Sequence, residues 1–443
     1  KGSEIVDRAT EQPVTLSVVH EGDDFRRVEF VAKGVPSVGY KVYYLRPSTK
    51  PASAVETASN TTLESPYYRV ELDPSSGAVR SIYDKQLQRE LVDQKSPYRF
   101  GQYLYVTGGD KEPNSILQYR VVSPKPDLQI HAAARGRLVS VERTAYGWLA
   151  RLESSAENTP NIASEIRLFE NEKKIEFVED VTKKEVISKE AVYFTFPFAM
   201  SHPQFQYEIQ NGVVDPSKDM YPGAGHEWFS AQHWASVQQD GMSGTVMPLD
   251  TPLLTLGDIN RGAWPTEFGQ RPGSIFAYAM NNYWHTNYRA AQGGDFRFRY
   301  IVTSGPSTDA TELSRMGWEE VTPFEVDEIR SQDKALDLPR PLDGKQASFI
   351  SIDDPNLLLD TWKPAEDGDG TILRLIDLGG GSRTVSVKTP LLAIDKVFET
   401  DALERNQKPL ATDGSGEFRV EIHPHEIATF RLRGDALLHA PIK

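Results

Sequence analysis

At 443 residues the chain is too long for a single hydrophobic core, and about two or three domains are expected. Its formal charge of −14, from 49 basic and 63 acidic residues, argues against nucleic acid or an anionic membrane as partner, since both demand a basic face. No stretch approaches the roughly 18 consecutive apolar residues of a membrane span, and the absence of cysteine excludes disulfides and thiolate metal sites.

In chain order, residues 13–46 read as two or three strands, because Leu16, Val18, Val28, Phe30, Tyr40, Val42 and Tyr44 keep period two. Residues 47–62, rich in Pro, Ser and Thr, form the clearest linker. A hairpin follows, with Tyr67 to Leu72 alternating, Asp73-Pro74-Ser75-Ser76-Gly77 turning, and Ala78 to Tyr83 returning. Similar short runs continue to about residue 304, among them one expected strand over residues 129–138. That spacing predicts a large antiparallel sandwich. Residues 308–320 are the best helix candidate, with Asp309 as its cap. Residues 321–346 read as a second connection, and residues 347–435 return to strands. The expected architecture is all-β: a small N-terminal β-domain over 1–50, a large sandwich over 63–320 and a C-terminal β-sandwich over 345–435. The chain begins Lys1-Gly2 in place of Met, which reads as a cut end, a mature terminus or a fragment. The cysteine count fits a bacterial cytosol and a periplasm equally, so the compartment stays open.

Several motifs are candidates for chemistry. The densest is Tyr278 to Arg299, which contains Asn281-Asn282-Tyr283-Trp284-His285 and Asp295-Phe296-Arg297. Flat rings interleaved with amides and guanidinium groups suit a sugar, through stacking on C–H faces and paired hydrogen bonds to hydroxyls. The same composition also suits a buried strand pair whose amides tie off turns. Asp258-Ile259-Asn260-Arg261-Gly262-Ala263-Trp264 puts a carboxylate, an amide, a guanidinium and an indole in one loop, as pocket linings often do. His226-Glu227 follows a Gly-rich loop and could serve acid–base chemistry or simply pack on an aromatic ring. His423-Pro424-His425 would share a strand face as a metal pair, but a third ligand is missing from the sequence nearby. Glu366-Asp367-Gly368-Asp369-Gly370 lacks calcium-loop spacing and reads as a solvated turn. Gly379-Gly380-Gly381 precedes no helix and is no nucleotide cradle.

The residues Tyr67 to Asp73, Ser76 to Lys85 and Arg89-Glu90-Leu91-Val92-Asp93 together resemble family 38 glycoside hydrolases, the α-mannosidases, in their C-terminal β-rich half. Further matches are Val35 to Tyr40, Lys189 to Phe194, Asp258 to Gly262, Asn281 to Asn287 and Lys363 to Gly368, so the resemblance spans about residues 14–433. It implies a galactose mutarotase-like β-supersandwich flanked by smaller β-sandwich domains. Family members carry zinc and a nucleophilic Asp in an N-terminal α/β domain with a His-x-Asp pair, and this sequence has neither His-x-Asp nor an α/β region. The resemblance therefore implies a non-catalytic remainder, with no cofactor in this segment and zinc in the absent catalytic domain of the same polypeptide. That remainder would support the catalytic domain and complete a pocket for an α-mannoside or other glycan. Arg261 and Tyr103 sit at the family's sugar-facing places, with Tyr105 as the alternative to Tyr103 if the register slips. Asp258, Trp284 and His285 complete the candidate sugar-binding set. Two rival readings are a stand-alone carbohydrate-binding module and an aldose epimerase, the latter needing His226 or His285 as its acid.

Overall fold

The computed structural model describes residues 2–21, 26–48, 60–108, 127–259, 265–282, 291–329, 342–412 and 416–436. Two compact units emerge: residues 55–321 form one, and residues 1–54 together with 322–443 form the other.

Among the described residues of the larger unit, two antiparallel sheets dominate. One has nine strands, in the order Ala134–Arg143, Gly147–Ala156, Thr159–Phe169, Ile175–Lys183, Gly294–Gly305, Met242–Pro248, Ala235–Gln239, Gln204–Ile209 and Gly212–Val214. The other has six: Leu128–Ala132, Gln102–Gly108, Glu190–Pro197, Ser274–Asn281, Leu253–Leu256 and Phe229–Ser230. Between them lies the main core, where the rings of Phe100, Phe177, Phe196 and Phe198 meet at 5.1–6.0 Å. All eight residues of Glu190–Pro197 are buried, as befits a central strand covered on both faces. Val192, Phe194 and Phe196 enter the main core, while Ala191 and Tyr193 join Leu104, Val106, Phe276 and Tyr278 in a second cluster. The nine-stranded sheet carries a ladder of ion pairs that includes Arg137–Glu153, Arg151–Glu165, Arg167–Glu176 and Arg297–Asp180.

The sequence reading treats residues 129–138 as one strand. The chain instead leaves the six-stranded sheet at Ala132 and enters the nine-stranded sheet at Ala134. Buried Ala133 is the pivot: its N–H donates to Tyr103 O at 2.9 Å and its carbonyl accepts from Gln102 Nε2 at 2.9 Å. Arg135, in the left-handed region at φ 56°, follows the turn.

A third, four-stranded sheet holds the hairpin Tyr68–Asp73 and Ala78–Asp84. Asp84 is fully buried and accepts from Gln86 N (2.8 Å), Leu87 N (2.9 Å) and Ser304 Oγ (2.6 Å), while Lys173 Nζ stands at 2.8 Å. Burial pushes its pKa up, but Lys173, Ser304 and the Leu87 amide outweigh this and hold it below the usual carboxylate value. Glu90 ties the next strand in the same way, accepting from Ser81 Oγ, Ile82 N and Val92 N. Gly77 turns at φ 68°, and a Cβ there would meet Ser154 Oγ at 2.6 Å.

The one α-helix among the described residues is Ala310–Val321, capped as the sequence predicts: Asp309 Oδ1 accepts from Glu312 N at 3.0 Å. Its Ser314 accepts a hydrogen bond from buried Trp234 Nε1 (3.0 Å), and Gly317 lets His233 pack against the helix backbone.

In the smaller unit, a five-stranded sheet (Leu357–Pro364, Thr371–Asp377, Ile427–Ala436, Leu392–Thr400, Asn406–Leu410) packs through one core with a three-stranded sheet (Ser351–Ile352, Arg383–Lys388, Glu417–Ile422). Residues 1–54 are grouped with this unit. Gly39–Lys41 pairs with Gln346–Ser348, and Lys41 bridges to Asp7 at 2.8 Å. His423 and His425 flank the turn after Glu417–Ile422 and not a strand, so the same-face geometry of a metal pair is lost; His425 N instead donates to Asp377 Oδ2 at 2.8 Å. The Gly-rich run caps the same carboxylate through the Gly379 and Gly380 amides. In the acidic turn, Asp367 pairs with Arg431 at 2.7 Å, which holds its carboxyl down at about 2.

Candidate functional site

Strand Leu253–Leu256 ends in Gly257, whose φ of 81° only glycine adopts freely, and a Cβ there would strike Arg271 Cβ at 2.3 Å. Glycine thus lets Arg271 lie under the strand end, where its Nη1 donates to Leu256 O at 2.9 Å and its guanidinium covers the Phe268 ring at 4.2 Å. Asp258 follows, exposed, with Oδ1 accepting from Ile259 N at 2.8 Å. Burial first, and the Asp258 charge second, raise the pKa of the nearby Tyr98 hydroxyl.

The chain then returns at Pro265, whose carbonyl accepts from His226 N at 2.8 Å. Between residues 202–226 and 266–271 lies an open depression of about 750 Å³. His226 and Phe205 are buried members of its lining, Phe268 and Tyr221 are its further aromatic residues, and Gln204, Lys218, Glu267 and Gln270 supply polar lining. Tyr221 is 88% exposed although its turn is fixed by Ala224 N donating to Tyr221 O at 3.0 Å. The His226 ring is 4% exposed and lies between Phe229 and Phe268. Burial, then the charge of Arg271, push its pKa down, against a hydrogen bond with the Thr266 backbone. The neutral ring leaves Nδ1 without a partner.

Of the sequence-predicted site residues, Tyr103 and Asp258 lie among the described residues. Tyr103 is 2% exposed in the inter-sheet core, and its hydroxyl bonds Thr159 Oγ1 at 2.7 Å. It packs between the sheets, on a strand buried from Gln102 to Val106. Tyr105 stands two residues on, on the same face, and accepts from Asn158 Nδ2 at 2.8 Å, so register does not separate the two rings. Asp258 belongs to the other side: its neighbour Ile259 packs in the cluster of Leu104 and Tyr193. Arg261, Trp284 and His285 lie outside the described residues. Of the aromatic–amide run, Tyr278 stacks on Tyr193 at 4.5 Å, and Asn282 ties a loop by accepting from Glu190 N and donating to Val186 O and Ser188 O. Where the run is described, it therefore serves packing and turn closure.

Sequence reasoning singled out His226 but missed Tyr221, Phe268 and Arg271, which are separated by some fifty residues (221 to 271) and carry no joint pattern. It also missed the buried pair of Lys183 with Glu190 at the end of the sandwich. Among the described residues, no group of three or more His, Asp or Glu is placed to hold a metal ion. No helix among them is long and apolar enough to cross a membrane.

Comparison with known proteins gives a consistent family. Residues 63–251 match the glycosyl hydrolases family 38 C-terminal domain, and residues 356–430 match the family 38 C-terminal beta sandwich domain. An α-mannosidase from Enterococcus faecalis V583 aligns with a TM-score of 0.65 and 12% identity, covering 97% of this chain and 50% of its own. A family 38 protein from Enterococcus faecalis aligns with a TM-score of 0.67 and 11% identity, covering 97% and 52%. The chain thus spans about half the length of these structures. No curated protein matches it in sequence.

Proposed function

Since the chain belongs to glycosyl hydrolase family 38, as that family's C-terminal β-rich region, we propose that it is the non-catalytic part of an α-mannosidase-like enzyme. In this reading it buttresses a metal-bearing catalytic domain of the same polypeptide and completes one wall of the glycan pocket. The observation that carries the reading is the Asp258 loop. An exposed carboxylate leaves a buried sheet at a glycine that admits Arg271 beneath it. Asp258 and Arg261 would accept from and donate to sugar hydroxyls.

The test is hydrolysis of an aryl α-mannoside. The 443-residue chain alone is expected to release no phenol, with or without zinc. A longer polypeptide that adds the catalytic domain is expected to do so, and Arg261→Ala should lower its kcat/KM by about tenfold, the worth of one charge-assisted contact. Zinc-stimulated release by the chain alone would overturn the proposal.

A further inference from the structure

We propose that the depression between residues 202–226 and 266–271 is a saccharide subsite, in which a neutral pyranose lies against Tyr221 and Phe268. The inference rests on the family reading but concerns a place that the Asp258 loop only borders. Four observations carry it. The volume of about 750 Å³ suits a small ligand. Tyr221 presents nearly its whole ring to solvent on a turn closed by its own backbone and Gly223 at φ 79°, so the backbone that carries the ring is set before any ligand arrives. Phe268 is held from behind by the Arg271 guanidinium and edge-on by Phe205 and Phe229, so its orientation is likewise set. His226, one of the lining residues, is itself buried and has a buried ring nitrogen, Nδ1, without a partner.

The charges argue for a neutral ligand. Lys218 is taken by Asp215 at 2.8 Å, and Arg271 is spent on backbone carbonyls and on Phe268. Both Lys218 and Arg271 are thereby already engaged within the protein, and exposed Glu267 would repel a phosphate or a uronate. Gln270 and Glu267 remain exposed for hydroxyl groups, and aromatic faces take the C–H side of the ring. The subsite would hold a sugar unit of the glycan other than the one being cleaved.

Titration of the 443-residue chain with methyl α-mannoside, an α-linked mannobiose and mannose 6-phosphate, followed calorimetrically and by NMR, tests this. Saturable millimolar binding of the neutral sugars is expected, with the phosphorylated sugar weaker. Tyr221→Ala should weaken binding about tenfold, with an unchanged melting temperature because the ring packs on nothing. Gln270→Ala should weaken it less. Absence of saturable binding, binding indifferent to both substitutions, or preference for the phosphorylated sugar would each overturn the subsite. None of these results bears on hydrolysis by the longer polypeptide, which decides the family reading separately.

Discussion

Asp84 offers the sharpest test of how the larger unit is held. Its carboxylate, fully buried, receives two backbone amides, one hydroxyl and one ammonium. Asp84→Ala removes all four partners at once. Breaking a buried charge pair costs about 3–5 kcal/mol, and each orphaned buried donor about 1–3 kcal/mol. The Lys173 side chain is 20% exposed, so its ammonium turns partly to water, and the sum does not accumulate in full. We expect about 4 kcal/mol for Asp84→Ala and about half that for Asp84→Asn, which keeps an acceptor for the Gln86 and Leu87 amides. Denaturant titration followed by tryptophan fluorescence, with Trp234 buried in this unit, gives the difference. The sign of the pH effect follows from the lowered pKa. The carboxylate's contribution is complete above its unfolded value of about 3.9 and fades as pH falls through the lower folded value. The gap between wild type and Asp84→Asn should therefore close only in strong acid. A loss below about 1 kcal/mol for Asp84→Ala at neutral pH would refute the anchoring role.

Two further outcomes follow from buried polar groups. Tyr103→Phe should cost about 1–2 kcal/mol, because it strands the fully buried Thr159 hydroxyl, and should leave sugar binding by the chain unchanged; lost binding at full stability would return Tyr103 to the pocket. Glu179 is 1% exposed with Ser164 Oγ donating to it at 2.5 Å, and burial raises its pKa well above the ordinary value. Wild-type stability should consequently fall, relative to Glu179→Gln, as pH rises from the unfolded carboxylate value toward the folded one; a stability difference flat between acid and mildly alkaline pH would contradict the protonated state.

Much of the fold is legible because buried sheets impose period two. The hairpin around Asp73 to Gly77 and the helix cap at Asp309 are local devices, and both appear where their residues predict. Elsewhere the local signal fails for identifiable reasons. Leu357–Pro364 and Leu392–Thr400 each contain a register shift, between Leu359 and Thr361 and between Ile394 and Lys396, which breaks the alternation that marks a strand. The sheet switch at Ala133 falls within Ala132-Ala133-Ala134, three identical small residues that mark no boundary between one long strand and two. The pairing of Gly39–Lys41 with Gln346–Ser348 joins segments some three hundred residues apart, and no local composition announces it. The candidate site was least legible, because its walls come from separate loops and the strongest aromatic run proved, where described, to be packing.

The residues that reveal the family and the residues that would meet a ligand are different sets, and this orders the experiments. Asp84, Glu90 and Gly77, which dominate the resemblance, are consumed by turns and by the junction of the hairpin with Ser304 and Lys173. Their chemistry is closed: every acceptor position of Asp84 that the structure shows is filled from within. A ligand needs side chains that reach solvent, and those occur at Asp258, Tyr221 and Gln270, on loops. Substitutions in the first set should move the unfolding midpoint and leave sugar affinity alone in whatever fraction stays folded. Substitutions in the second should do the reverse. A Tyr221→Ala chain that melts early, or an Asp84→Asn chain that folds fully yet binds sugar differently, would show that scaffold and surface are not separable in this way.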